Sequence, residues 1–226
     1  MNQPTVALLD GNDAHADQYD HAFDDLQDGQ DPAVVSVCCS DSRVLADHVW
    51  GNDQPGAVFT CENIGNRVVQ RTDEGDVVSG DVAYPLVATS PEAVVVLGHT
   101  GCGAVTATYD AIRGEASGPP GVRHCVDLLA TRLEEGVERL PDGLDRRERI
   151  DHLVEYNVDR QVEFLLDSDV VPDGVEVVGA VYDFHDSYGG RRGEAHVVNV
   201  DGERDPEALR AAHTDVAERV HRRWTY

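Results

Sequence analysis

Ala93-Val-Val-Val-Leu97-Gly98-His99-Thr-Gly-Cys102-Gly103-Ala104 is the stretch that decides how this chain folds. A short unbroken apolar run bounded by glycine reads as a strand buried on both faces. It runs straight into a glycine-rich loop, and that loop opens a helix over 104–112. A buried strand followed at once by a helix is half of a parallel α/β unit.

The same pattern recurs on either side. Val34-Val-Ser-Val-Cys-Cys39 and Ala57-Val-Phe-Thr-Cys61 read as short strands. Gly80 to Ser90 reads as a helix with Val82, Leu86 and Val87 on one side. After a loop at 114–121, helices are expected at about 122–139 and 146–167, separated by Pro141-Asp-Gly143. Val175–Tyr182 and Ala195–Val200 form a hairpin about a turn at 186–193. A helical arm is expected over about 12–29, and an amphipathic helix closes the chain over about 205–223. Leu209, Val216, Val220 and Trp224 of that helix are expected to face a partner subunit. The fold class is therefore α/β: a largely parallel central β-sheet flanked by helices, with an antiparallel edge hairpin. No repeat or linker divides the chain, so residues 1–226 read as one domain.

The composition restricts the partners. Asp and Glu number 43 against 18 basic residues, for a net charge of −25, and every basic residue is Arg. Such a surface repels nucleic acid and anionic membrane, so neither is an expected partner. Dense carboxylates suit a salt-rich cytoplasm, where screening removes much of their mutual repulsion. A halophilic, cytoplasmic protein is the expectation. The five cysteines are sparse and odd in number, which does not suit a disulfide framework.

Cysteine and histidine instead fall where a metal would use them. Cys39-Ser-Asp41-Ser-Arg43 follows one strand, and His99-Thr-Gly-Cys102 follows another. Open α/β sheets place their sites at such C-terminal strand ends. Two thiolates and an imidazole form a zinc ligand set that keeps its fourth position open. Cys38 competes with Cys39, because strand neighbours point to opposite faces and only one can reach the metal. The two-residue spacing to Asp41 favours Cys39. Cys38, Cys61 and Cys125 read as apolar fillers. A structural zinc site has no evident use for Asp41 and Arg43, whereas a hydrating or hydrolytic one does.

Cys39-x-Asp41-x-Arg43 with His99-x-x-Cys102 resembles the β-class carbonic anhydrases. Gly98-His-Thr-Gly-Cys-Gly-Ala104, Asn63-Ile-Gly-Asn66 and Tyr182-Asp183 extend the likeness, which runs from roughly residue 15 to 200. The resemblance implies one Zn2+ per chain, held by Cys39, His99 and Cys102 with water or hydroxide as fourth ligand. It implies that this hydroxide attacks CO2 and that Asp41 orients it. Arg43 would hold Asp41 off the metal. Gln30 would orient substrate, with Phe59, Ile64 and Tyr84 as the apolar wall and Gly103 beside them. The family pattern implies a homodimer or a higher multiple of dimers, with the site at the subunit interface. Ser36 and Glu62 stand where members with an alternative, closed site carry Trp and Arg, so an open resting site is expected. Two thiolates cancel the charge of the metal, so activity should rise toward mildly alkaline pH. Hydrolysis of carbonyl sulfide or carbon disulfide is an alternative on the same residues, and a non-catalytic zinc-binding role is another.

Overall fold

β1 (Val34–Cys39) sits at the switch point of the sheet. In the computed structural model, which describes residues 1–115 and 118–226, its neighbours are β2 (Val58–Asn63) and β5 (Ala93–His99), both parallel to it. β6 (Glu176–Asp183) lies parallel to β5, and β7 (Glu194–Val200) closes the edge antiparallel, giving the order β2-β1-β5-β6-β7. The chain leaves β1 toward one side and returns to its other side as β5. Crevices open at the carboxyl ends of strands where the order reverses in this way. Cys39 ends β1 and His99 ends β5, so the topology alone brings them together at that crevice.

β1 and β5 are apolar because both their faces are covered. One face packs on α2 (Gly80–Ala88), α3 (Gly103–Ile112), α4 (Pro120–Arg139) and α5 (Arg146–Leu166), with Val35, Val37, Val94, Val96, Leu129, Val154 and Val158 in the main core. The other face carries a smaller cluster of Cys38, Val44, Leu97 and Ala180. α5 lies close against β5: a Cβ on Gly98 would stand 2.7 Å from Val158 and 3.0 Å from Val154. Asp145 starts α5 with a full capping box to Glu148, which fixes the first turn and hence the register of its buried face.

Several boundaries differ from the sequence reading. The arm expected over 12–29 is α1 (Gln3–Tyr19), continued by a 3₁₀ turn over Asp20–Leu26. Asn2 caps it by accepting from Thr5 N, and Pro4 sits in its first turn, signals stronger than the weak apolar spacing farther on. α4 begins at Pro120 rather than at 122, again with Pro at a helix start. The expected loop at 114–121 includes residues 116 and 117, which lie outside the described residues. A short hairpin of β3 (Val69–Thr72) and β4 (Gly75–Val78) was not anticipated. The expected closing helix over 205–223 is broken: α6 (Pro206–Ala212) is followed by a 3₁₀ turn and an extended tail. The expected partner-facing residues separate accordingly. Leu209 and Val220 are buried against Val200 in this chain, Trp224 joins the main core, and Val216 is exposed. Arg222 of the tail pairs with Asp159 of α5, both buried, and that pairing draws the chain out of helical geometry.

Candidate metal centre

Cys39 leaves β1, His99 leaves β5, and Cys102 caps the N-terminus of α3. Their donor atoms all lie within 4.8 Å of one another, and the two sulfurs are 4.0 Å apart. That spacing is far too long for a disulfide. Two thiolates bound tetrahedrally to zinc stand about 3.8 Å apart, so the pair fits the ion. The His99 Nδ1 lies 3.1 Å from the Thr100 carbonyl, which can only accept. The ring is therefore the tautomer with its proton on Nδ1, leaving a lone pair on Nε2. Nε2 is buried and has no hydrogen-bond partner among the described residues. A buried acceptor within 4.8 Å of two cysteine sulfurs could hold a metal ion together with them.

The thiols are prepared for that role. A hydrogen bond from Cys102 lowers the Cys39 thiol to about 4, against the opposing effect of burial. The resulting thiolate, together with burial, pushes Cys102 well above the usual thiol range. A divalent cation removes that obstacle by neutralising both charges. The other cysteines behave differently. Burial pushes Cys38 and Cys61 up to about 12, so both stay neutral. Cys38 belongs to the cluster on the opposite sheet face, which resolves the competition between adjacent cysteines in favour of Cys39.

Asp41 and Arg43 lie on the turn directly after β1, closed by Val44 N donating to the Asp41 carbonyl. Arg43 Nε donates to Oδ1 at 2.8 Å and Nη2 to Oδ2 at 2.6 Å, a bidentate pair. The Arg43 backbone N–H also donates to Oδ1. These hydrogen bonds hold the Asp41 carboxyl well below the usual carboxylate range. Oδ2 lies 3.8 Å from His99 Nε2, so an ionised carboxylate stands beside the metal position while turned toward Arg43.

The loop between His99 and Cys102 is clamped from α5 and from the segment after β6. Gly101 N–H donates to Asp151 Oδ1 at 2.9 Å, and Ser187 Oγ donates to Oδ2 at 2.7 Å. Thr100 N–H donates to the Tyr182 carbonyl, and its hydroxyl donates to Asp183. The Phe184 ring stacks on His99, and His185 packs against Gly101. Asp151, Phe184 and His185 were not singled out from sequence. Their one legible signal was position: Phe184 directly follows the carboxyl end of β6, the strand beside β5.

The expected substrate residues come from several elements. Gln30 is exposed before β1. Phe59 and Tyr84, with ring centroids 6.2 Å apart, line a concavity of about 360 Å³ with Glu62 and Asp81. None of the three metal ligands lines it. Ile64 is 44% and Tyr84 56% exposed. Gly103 opens α3 beside Cys102, with free space where a Cβ would stand. A larger concavity, about 550 Å³, is lined by Trp50, Val95, Ala195 and Arg192 and by none of the metal ligands either. Ser36, one of the two departures noted above, accepts from Trp50 Nε1 at 3.1 Å.

Comparison with known proteins agrees with this geometry. A family model described as carbonic anhydrase matches residues 34–189. Beta carbonic anhydrase 5 of Arabidopsis thaliana is 24% identical over 177 residues, covering 76% of this chain and 58% of the relative. The chain thus spans little more than half the length of that relative. Carbonic anhydrase 2 of Mycobacterium tuberculosis is 29% identical over 168 residues, covering 71% of this chain and 74% of the relative. Among solved structures, one of the tetrameric β-carbonic anhydrases of Sordaria macrospora superposes with a TM-score of 0.71 at 25% identity, covering 88% of this chain and 98% of that one.

Proposed function

The chain belongs to the β-carbonic anhydrase family, and from that premise we propose that it catalyses the reversible hydration of carbon dioxide to bicarbonate and a proton. The observation that carries the reading is the Asp41–Arg43 pair, bidentate and 3.8 Å from the free nitrogen of His99. Cys39, His99 and Cys102 would hold zinc. Bound there, zinc supplies a Lewis acid that makes water a nucleophile near neutral pH. Three protein ligands leave one position for that water.

Asp41 is the group that aims the nucleophile. Its Oδ2 keeps a lone pair on the side facing His99 while Arg43 occupies the other. It can accept a hydrogen bond from the attacking oxygen and so turn that oxygen's free lone pair toward an apolar, weakly electrophilic carbon. Arg43 prevents the carboxylate from taking the open position itself, since leaving would break two charge-assisted hydrogen bonds. Phe59, Ile64 and Tyr84 offer the apolar wall CO2 needs, and Gln30 a polar group to orient it. The exposure of Ile64 and Tyr84 in a single chain favours a pocket completed by a second copy. The Sordaria macrospora relatives are tetrameric, which suits a dimer or a multiple of dimers here. The net charge of −25 favours work in a salt-rich cytoplasm.

Asp41→Ala is the direct test. Zinc should stay near one per chain while hydration falls by about two orders of magnitude, the range typical of losing a group that orients the attacking atom. Full activity in Asp41→Ala would refute the role assigned to this residue.

A further inference from the structure

The Asp41–Arg43 pair is local: both residues lie on one short turn, and every hydrogen bond from the Arg43 side chain among the described residues goes to Asp41. Arg43 is half exposed and long, so this pair alone does not tie it to the strand that supplies His99. One residue just beyond a different strand, β6, touches both. The Arg43 guanidinium carbon lies 4.6 Å from the centroid of the Phe184 ring. The His99 imidazole stacks on the same ring at 5.5 Å and 26°.

Resting on the function proposed above, we propose that Phe184 is a positioning residue that locks the Asp41–Arg43 pair in register with the metal ligand His99. The electron-rich ring face attracts the guanidinium and leaves its Nε and Nη2 protons free for Asp41. The ring is itself held: Tyr182 meets it edge-on at 5.7 Å, His185 flanks it at 4.6 Å, and Phe184 N–H donates to the Thr100 hydroxyl. Thr100 is bonded in turn to Asp183 and to the Tyr182 carbonyl, so the ring is rigid relative to β5. Arg43 thereby acquires a fixed place relative to His99, and Asp41 follows Arg43. Phe184 touches no reacting atom in this scheme; it acts through Arg43.

The test compares Phe184→Leu, which keeps apolar bulk and loses the ring, with Phe184→Tyr, which keeps the ring. Two readouts apply: solvent exchange of the Arg43 Nε proton by NMR, in zinc-free and zinc-loaded protein, and kcat against KM for CO2. Zinc content and melting temperature verify that each variant folds. In Phe184→Leu the exchange should quicken, and kcat should fall, by about two- to fivefold, the worth of one partly exposed cation–π contact. KM should stay unchanged, and Phe184→Tyr should restore both readouts. In an Arg43→Ala background Phe184→Leu should cost nothing further, because its target is gone. Unaltered exchange in Phe184→Leu, or losses that multiply in the double variant, would overturn the proposal. Should the wild type fail to hydrate CO2, the proposed function falls, and the exchange readout still decides whether Phe184 fixes Arg43. Should Phe184→Leu not fold, replacement by pentafluorophenylalanine keeps the shape and removes the attractive ring face, with the same expected and contrary results.

Discussion

Gly101→Ala puts the geometry of the metal loop to a quantitative test. Gly101 sits between His99 and Cys102 with φ +62°, in the left-handed region, where a side chain costs about 1–2 kcal/mol. An added Cβ would also stand 2.6 Å from His185 Cε1 and 3.1 Å from its Nδ1. Ordinary contact begins near 3.4 Å, so the ring must retreat by 3.4 − 2.6 = 0.8 Å. Among the described residues His185 Nδ1 has no hydrogen-bond partner to lose, so this displacement costs only about 1 kcal/mol of packing. The sum is about 2–3 kcal/mol, which in a chain of this size lowers the melting temperature by about 4–12 °C. If the loop relaxes instead, Gly101 N–H draws away from the buried Asp151 and the loss grows by a further 1–3 kcal/mol or so. Thermal melts of zinc-loaded and zinc-free protein, with zinc affinity by chelator competition, read both effects. The variant Gly101→Ala/His185→Ala should regain the packing part and keep the backbone part. A Gly101→Ala protein that melts within a degree of wild type and binds zinc equally well would refute this reasoning. So would a double variant no more stable than the single one.

Three further outcomes follow from other parts of the molecule. Arg222→Met leaves Asp159 buried without its cationic partner and should destabilise by about 3–5 kcal/mol in denaturant unfolding, whereas Arg222→Met/Asp159→Leu should regain most of that; a loss below 1 kcal/mol or so would contradict it. Burial raises Glu155 from 4.5 to about 7 despite hydrogen bonds from Tyr188 and the Arg223 backbone. The folded protein therefore keeps a proton that the unfolded chain loses, and that stabilisation, full below pH 4.5, disappears as pH rises toward 7, by on the order of 3 kcal/mol. Glu155→Gln should flatten this slope, and an unchanged pH dependence of unfolding would exclude Glu155 as its source. With 43 acidic residues against 18 basic ones, dilute buffer should loosen the proposed dimer or unfold the chain, as sedimentation and circular dichroism would reveal; full activity and unchanged mass at low salt would refute the proposed salt requirement.

The parts of the fold that were legible in the sequence share a physical cause. β1, β5 and β6 are buried on both faces, so they read as apolar runs, and α5 declares itself through Asp145 and Glu148. The β3–β4 hairpin escaped notice because Gln70, Arg71 and Thr72 are exposed and carry no apolar alternation. The C-terminal tail escaped notice for the opposite reason. Its apolar residues have helical spacing, yet the buried carboxylates Glu155 and Asp159 on α5 bind the tail in extended form. The candidate metal ligands were legible because the chemistry demands particular residue types at strand ends. Asp151, Phe184 and His185 were not, since a carboxylate on a helix face and two aromatic rings in a turn have no signature until the loop they clamp is in view.

Stopped-flow CO2 hydration with a pH indicator, in molar salt and on protein of measured zinc content, tests the central claim most directly. Zinc near one per chain with fast hydration that strengthens toward mildly alkaline pH is the predicted result. Zinc bound at that level without hydration at any pH up to about 9 would contradict the account, since an ionised Asp41 beside an open metal position would then have no reaction to serve.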